Sequence, residues 1–146
     1  MLIRNILEES VRKFDEVKAV KWLKKKEIME RSYGELMENV VSTRKGLLAE
    51  GFEGKHIALI GTSSVEWMES YLGIITGCTT AVPLDAALPC EDLIDLLNRS
   101  DSAALFLSPK LKPYLDAFLE KLSETSEGVD ASGRGRGCAG KGIRYW

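Results

Sequence analysis

The chain has 146 residues, 45% of them hydrophobic and 29% charged, with a formal net charge of −2. That is one globular domain's worth of sequence, long enough to bury a core, and nothing in so balanced a charge calls for a nucleic acid or an anionic membrane as the main partner. Cys78, Cys90 and Cys138 are too few and too scattered for a disulfide framework, no apolar run is long enough to span a bilayer, and the start Met1-Leu2-Ile3-Arg4-Asn5 gives way to charged residues without a signal-peptide pattern. A cytoplasmic protein is expected; secreted, membrane-embedded and disulfide-stapled classes are set aside.

In chain order, Leu2, Ile3, Ile6, Leu7, Val11 and Phe14 recur at helical spacing, so residues 2–16 read as an amphipathic helix. Residues 19–23 and 27–31 read as two strands of a hairpin turned by Lys24-Lys25-Lys26. Ser32-Tyr33-Gly34-Glu35 has the form of a capping box, opening a helix whose buried stripe is Leu36, Val40, Leu47 and Leu48 and whose stop is Gly51. His56-Ile57-Ala58-Leu59-Ile60 is the short apolar run that a parallel sheet buries on both faces.

Gly61-Thr62-Ser63-Ser64 turns out of that run, and Ser63-x-x-Glu66 reads as a second capping box. The helix after it carries two apolar rows, Val65, Met68, Leu72, Ile75 and Trp67, Tyr71, Ile74, Cys78, so it should be largely buried, and Gly73 and Gly77 allow close approach of a neighbour. Residues 79–84 read as a strand ended by Pro83, Pro89 as the first turn of a helix burying Leu93, Leu96 and Leu97, and residues 103–107 as a third core strand. Ser108-Pro109 then opens a last helix with Leu111, Leu115, Phe118 and Leu122 on one stripe. Strands alternating with helices imply parallel crossovers: an α/β fold, mostly parallel, with flanking helices and an N-terminal β-hairpin.

The composition then changes. Residues 1–123 hold 16 basic and 19 acidic residues and 7 glycines, whereas residues 124–146 hold 4 basic and 3 acidic residues and 6 glycines. Ser132-Gly133-Arg134-Gly135-Arg136-Gly137 has no apolar side chain with which to offset the entropy of ordering its backbone. The expected division is a folded body at 1–123 and a Gly/Arg-rich disordered tail at 124–146, read out of frame.

No candidate site outweighs its plainer explanation. Gly135-to-Lys141 matches G-x-x-x-x-G-K, but Gly142 stands where a P-loop needs Ser or Thr for magnesium, and no strand precedes it. The Arg-Gly text has only two such arginines, too few for an RNA-binding segment in an acidic chain. Lys24-Lys25-Lys26 reads as a solvated hairpin tip. Gly61-Thr62-Ser63-Ser64 lies at the carboxyl end of a core strand and at a helix start, where open α/β sheets bind anions, yet capping by Ser63 explains it without a ligand. His56 reads as structural, Trp22 and Trp67 as packing residues, and one histidine with separated cysteines makes no metal set. Catalytic, cofactor-binding and metal residues are therefore each expected to be none.

One series of residues resembles a known family. Ser32-Tyr33-Gly34-Glu35-Leu36, Gly46-Leu47, Gly51, Gly54-Lys55-His56-Ile57-Ala58-Leu59-Ile60, Ser64-Val65-Glu66-Trp67 and Tyr71-Leu72-Gly73-Ile74 together resemble the amino-terminal region of the adenylate-forming (AMP-binding) enzymes. Residues 82–89, Glu91-Asp92-Leu93 and residues 100–106 are similar to the long-chain fatty acid–CoA ligase (acyl-CoA synthetase) branch.

The resemblance, over about residues 2–122, implies a partial first subdomain of that fold. Its parent reaction activates a fatty acid with ATP and Mg2+ as an acyl-adenylate, then passes the acyl group to coenzyme A. It places the nucleotide-binding loop and the catalytic lysine beyond the matched stretch, so no residue of the chemical step carries over. The matched positions are then fold determinants: a cap at Ser32, packing at Trp67, turns at Gly51 and Gly54.

The expectation is a truncated ligase fragment, inactive alone and needing no cofactor by itself, that forms a homodimer through exposed apolar surface and has no nucleic-acid partner. The alternative is a stand-alone α/β interaction module or one half of a split ligase.

Overall fold

A computed structural model of the protein describes residues 2–111 and 142–145. Their elements are α1 (Ile3–Phe14), β1 (Lys18–Lys24), β2 (Glu27–Ser32), α2 (Tyr33–Ala49), β3 (His56–Ile60), α3 (Val65–Ile75), β4 (Thr80–Leu84), α4 (Cys90–Arg99), β5 (Ser102–Leu107), a 3-10 turn at Pro109–Leu111 and β6 (Gly142–Tyr145). The fold is α/β, as expected, and its contacts divide the chain into two units: Met1–Glu53 with Ser63–Cys78, and Gly54–Thr62 with Thr79–Trp146.

In the first unit, β1 and β2 form the predicted antiparallel hairpin. Its two-residue turn places Lys25 at φ 50° and Lys26 at φ 70°. Both are left-handed values that hairpin turns require and that Asn-Gly would adopt more cheaply. The Ser32 capping box is present in full. The Glu35 N–H donates to Ser32 Oγ at 3.2 Å, and the Ser32 N–H donates to Glu35 Oε2 at 2.7 Å. That backbone donor, chiefly, holds the Glu35 carboxyl below its ordinary range.

Helix α2 buries Leu36, Val40 and Leu47, but Leu48 stays exposed, and Gly51 follows the helix at φ 78°, as a stop requires. Helix α1 is amphipathic, as expected, with Leu7 and Val11 half-buried and Ile3, Ile6 and Phe14 exposed. Helices α2 and α3 meet at Gly73, where a Cβ would fall 2.5 Å from Thr43 Cβ and 3.1 Å from the Val40 carbonyl oxygen.

In the second unit the strands run β4-β3-β5-β6, all parallel. The register sets Ala58 against Val82 and Leu105, and Ile60 against Leu84 and Leu107. Ala58, Ile60, Leu105 and Leu107 therefore share a face, and they form one core cluster with Leu93, Ile94 and Leu97 of α4. The alternate residues Ile57, Leu59, Ala104 and Phe106 are buried as well, the two-faced burial that the apolar runs predict.

Three boundaries shift. Pro83 lies within β4 rather than ending it, which an edge strand tolerates. Pro89 is the N-cap of α4 rather than part of its first turn. Where a last helix is expected, Pro109–Leu111 is a 3-10 turn, and the rest of that helix lies outside the described residues.

The boundary at 123 and most of the expected tail also lie outside the described residues. Gly142–Tyr145 depart from the expectation of disorder: as β6 they pair with β5 and satisfy backbone groups on what would otherwise be an open sheet edge.

Two helical glycines test the packing with opposite signs. Gly73→Ala should destabilise by about 1–3 kcal/mol, because Thr43 and the α2 backbone leave no room. At Gly46 nothing lies within 4 Å of the added Cβ, so Gly46→Ala should stabilise by about 0.5–1 kcal/mol. Urea unfolding midpoints read both.

Candidate functional site

The strongest position read from the sequence is the Gly61-to-Ser64 turn between β3 and α3. Ser64, not Ser63, caps α3: its Oγ accepts from the Trp67 N–H at 3.1 Å, with the Ser64 backbone extended at φ −151° and ψ 170°. The reason for the shift is local. Ser64 stands immediately before the first helical residue, so its hydroxyl reaches the third N–H of the helix, as a cap does. The Ser-x-x-Glu pattern at 63 and 66 is one residue out of step with that geometry.

Thr62, Ser63 and Ser64 are exposed. No Lys or Arg occurs from residue 56 to residue 98, so the segment itself supplies no cation. Within residues 56–98 the capped helix start thus offers backbone donors and no cation of its own to a nucleoside triphosphate.

The remaining candidates stay apart in function. His56 is exposed at the start of β3, with its Nδ1 2.6 Å from the Ser100 carbonyl oxygen. Because a carbonyl only accepts, Nδ1 carries the proton and ties β3 to the end of α4. Ser100 Oγ and Ser102 Oγ lie 2.7 Å apart beside it, a closed set of short bonds at the amino end of the sheet, opposite the end where such sheets bind ligands.

Cys78 is exposed and Cys90 half-buried, both as free thiols. Among the described residues no three His, Cys, Asp or Glu side chains gather as a metal set, and no helix is long and apolar enough to cross a membrane. Trp22 lies under the Arg31 guanidinium, 5.3 Å from ring centre to Cζ, and Trp67 stacks on Tyr71 with centroids 5.3 Å apart. Both are packing residues, as expected. The Gly135-to-Lys141 match and Cys138 lie outside the described residues.

Sequence reasoning missed Glu69. It is only 6% exposed, in the row Val65, Glu69, Gly73 of α3. Its Oε1 accepts from Arg31 Nη1 of β2 and from Asn39 Nδ2 of α2, the latter at 3.0 Å. The signal was legible: Glu69 is a charged residue four positions after one small or apolar residue and four before another, on a helix otherwise read as buried. Both donors meet the same oxygen, and they tie α3 to β2 and α2 through a carboxylate that is largely shut off from solvent.

Comparison with known proteins decides the family. Residues 7–136 match the sequence profile described as AMP-binding enzyme. The chain belongs to that family. A comparison with curated proteins found no match.

Among solved structures, the fold is similar to the N-terminal domain of FACL13 from Mycobacterium tuberculosis, with a TM-score of 0.75 and 18% identity over 98% of this chain and 33% of that one. It is also similar to the anthranilate CoA ligase AuaEII in complex with anthranoyl-AMP (TM-score 0.70, 18% identity, 81% of this chain and 22% of that one). A third is the fatty acid AMP ligase from Legionella pneumophila (TM-score 0.68, 16% identity, 75% of this chain and 20% of that one). The chain thus spans a third or less of the length of these proteins. Its α/β arrangement is that of the N-terminal region of adenylate-forming enzymes.

The cap assignment is open to direct test. Ser64→Ala should cost about 1 kcal/mol of stability, and Ser63→Ala should be near neutral. Equal losses at both positions in urea unfolding would contradict the geometry.

Proposed function

We propose that this chain is amino-terminal sequence of an ATP-dependent acyl-CoA ligase acting on a fatty acid, and that residues 1–146 alone do not adenylate the acid. The family match over residues 7–136 carries the first half of this reading. The fatty acid, rather than an aromatic acid, rests on the resemblance at residues 82–93 and 100–106 to the long-chain branch. The fold neighbours include proteins named for each kind of acid, so they do not choose between them.

The second half rests on charge. Adenylation brings a carboxylate against a polyanionic triphosphate, so donors and cations must stand ready where charge develops. The one helix start at the carboxyl end of β3 has Ser64 occupied as a cap and no cation on the surrounding segment. Removing one such electrostatic contributor in an enzyme costs about 10²–10³ in rate. In this reading the chain's residues serve as frame. The buried runs of β3 and β5 and the capped starts of α2 and α3 fix the backbone on which the rest of a ligase is built.

Purified chain incubated with ATP, magnesium and a panel of fatty acids should give no pyrophosphate exchange above a protein-free control. Exchange that depends on the protein and saturates in ATP would overturn the claim of inactivity. In a longer polypeptide carrying this segment, fatty acids should support exchange better than aryl acids; the reverse order would overturn the choice of substrate.

A further inference from the structure

We propose that the tip of the β1–β2 hairpin docks on an anionic lipid surface, inserting Leu23 and Ile28 at the headgroup boundary while Lys24, Lys25 and Lys26 meet the phosphates. The proposal goes beyond the ligase reading and does not depend on it. Leu23 and Ile28 are direct cross-strand partners, and each is 71% exposed. Next along the same face, Lys21 and Glu30 neutralise one another through an ion pair at 2.7 Å. Among the described residues no carboxylate forms an ion pair with Lys24, Lys25 or Lys26, and although Glu27 stands across the hairpin from Lys24, residues 24–27 keep three cations against one carboxylate beside the apolar pair.

The backbone adds a second observation. Lys25 and Lys26 both sit at positive φ, where a side chain is strained and where Asn-Gly would serve the turn better. Holding two cations at the apex against that strain points to a use for them.

The shape and charge of the tip select the occupant. Residues 23–30 are exposed without exception, so the tip is convex and has no groove for a partner's side chain. A fluid interface closes around a convex apolar tip, whereas a folded partner needs a complementary pocket. A second copy of the chain, the homodimer expected from exposed apolar surface, would bring two lysine clusters together on this face. Anionic lipid is complementary on both counts: lysine stems lie along the acyl boundary while their heads reach phosphate.

The test is co-sedimentation of the chain with vesicles of phosphatidylcholine, with and without phosphatidylglycerol, at low salt. Each lysine near an anionic surface strengthens binding about fivefold, so the combined Lys24→Gln, Lys25→Gln, Lys26→Gln variant should bind about a hundredfold more weakly. Combined Lys→Arg changes at the same positions should bind like the parent. Leu23→Ser with Ile28→Ser should weaken binding about tenfold. Raising the salt to about 0.5 M should release the parent chain, a readout that needs no variant.

Equal binding to both kinds of vesicle, or binding unmoved by salt and by the glutamine variant, would overturn the proposal. So would a dimer, seen by sedimentation without vesicles, that the Leu23→Ser, Ile28→Ser variant dissociates, since that assigns the face to a second copy. Binding to polyglutamate with none to the anionic vesicles would equally overturn it, in favour of an acidic protein.

Discussion

A carboxylate sealed from water has to be paired, and in the first unit that requirement falls on Glu69. Its two donors come from different elements: Arg31 from the end of β2 and Asn39 from the second turn of α2. Ser32, the cap of α2, follows Arg31 directly, so the same short stretch must end a strand, start a helix and deliver a guanidinium to α3. Gly73 sets how closely α3 approaches α2, because a Cβ there would meet Thr43. A shift of hairpin register, cap or helix crossing would leave a buried charge uncompensated, which costs far more than an exposed pair is worth. The i,i+4 pairs on α1, by contrast, are half exposed and contribute little.

Most of the fold was legible because its signals are local. Apolar runs at 56–60 and 103–107 have no solvated face, so they announce a parallel sheet buried on both sides. The Ser32-to-Glu35 spacing announces a helix start that the structure reproduces bond for bond. What escaped was set by partners distant in sequence. The cap one residue beyond Ser63 depended on where the chain leaves β3. Strand β6 formed because β5 presents an open edge, a fact about the sheet rather than about residues 142–145.

The family match and the site chemistry concern different things. The matched positions that can be followed in the structure are caps, turns and packing: Ser32, Ser64, Gly51, Gly54, Trp67 and Gly73. Arg31 is engaged with Glu69, and Glu35 with the Ser32 backbone, whereas Arg44 Nη1 is buried without a hydrogen-bond partner among the described residues. Glu69, the most buried carboxylate described, would be the obvious base if it were free, and it is held from two sides. The Arg31–Glu69 pair and the Ser32 capping box support the proposed reading of the described residues as a frame.

That claim is tested most directly by a double-mutant cycle on stability with Arg31→Ala, Glu69→Ala and the pair combined. If the pair is a structural clamp, Arg31→Ala costs about 3 kcal/mol by leaving the buried Glu69 with Asn39 as its remaining donor, and Glu69→Ala costs less, since the Arg31 side chain is 23% exposed. The double change should then cost well below the sum, with a coupling of about 2 kcal/mol or more. Additive losses with no coupling would show that Arg31 does not hold Glu69, leaving the carboxylate available for chemistry and contradicting the account.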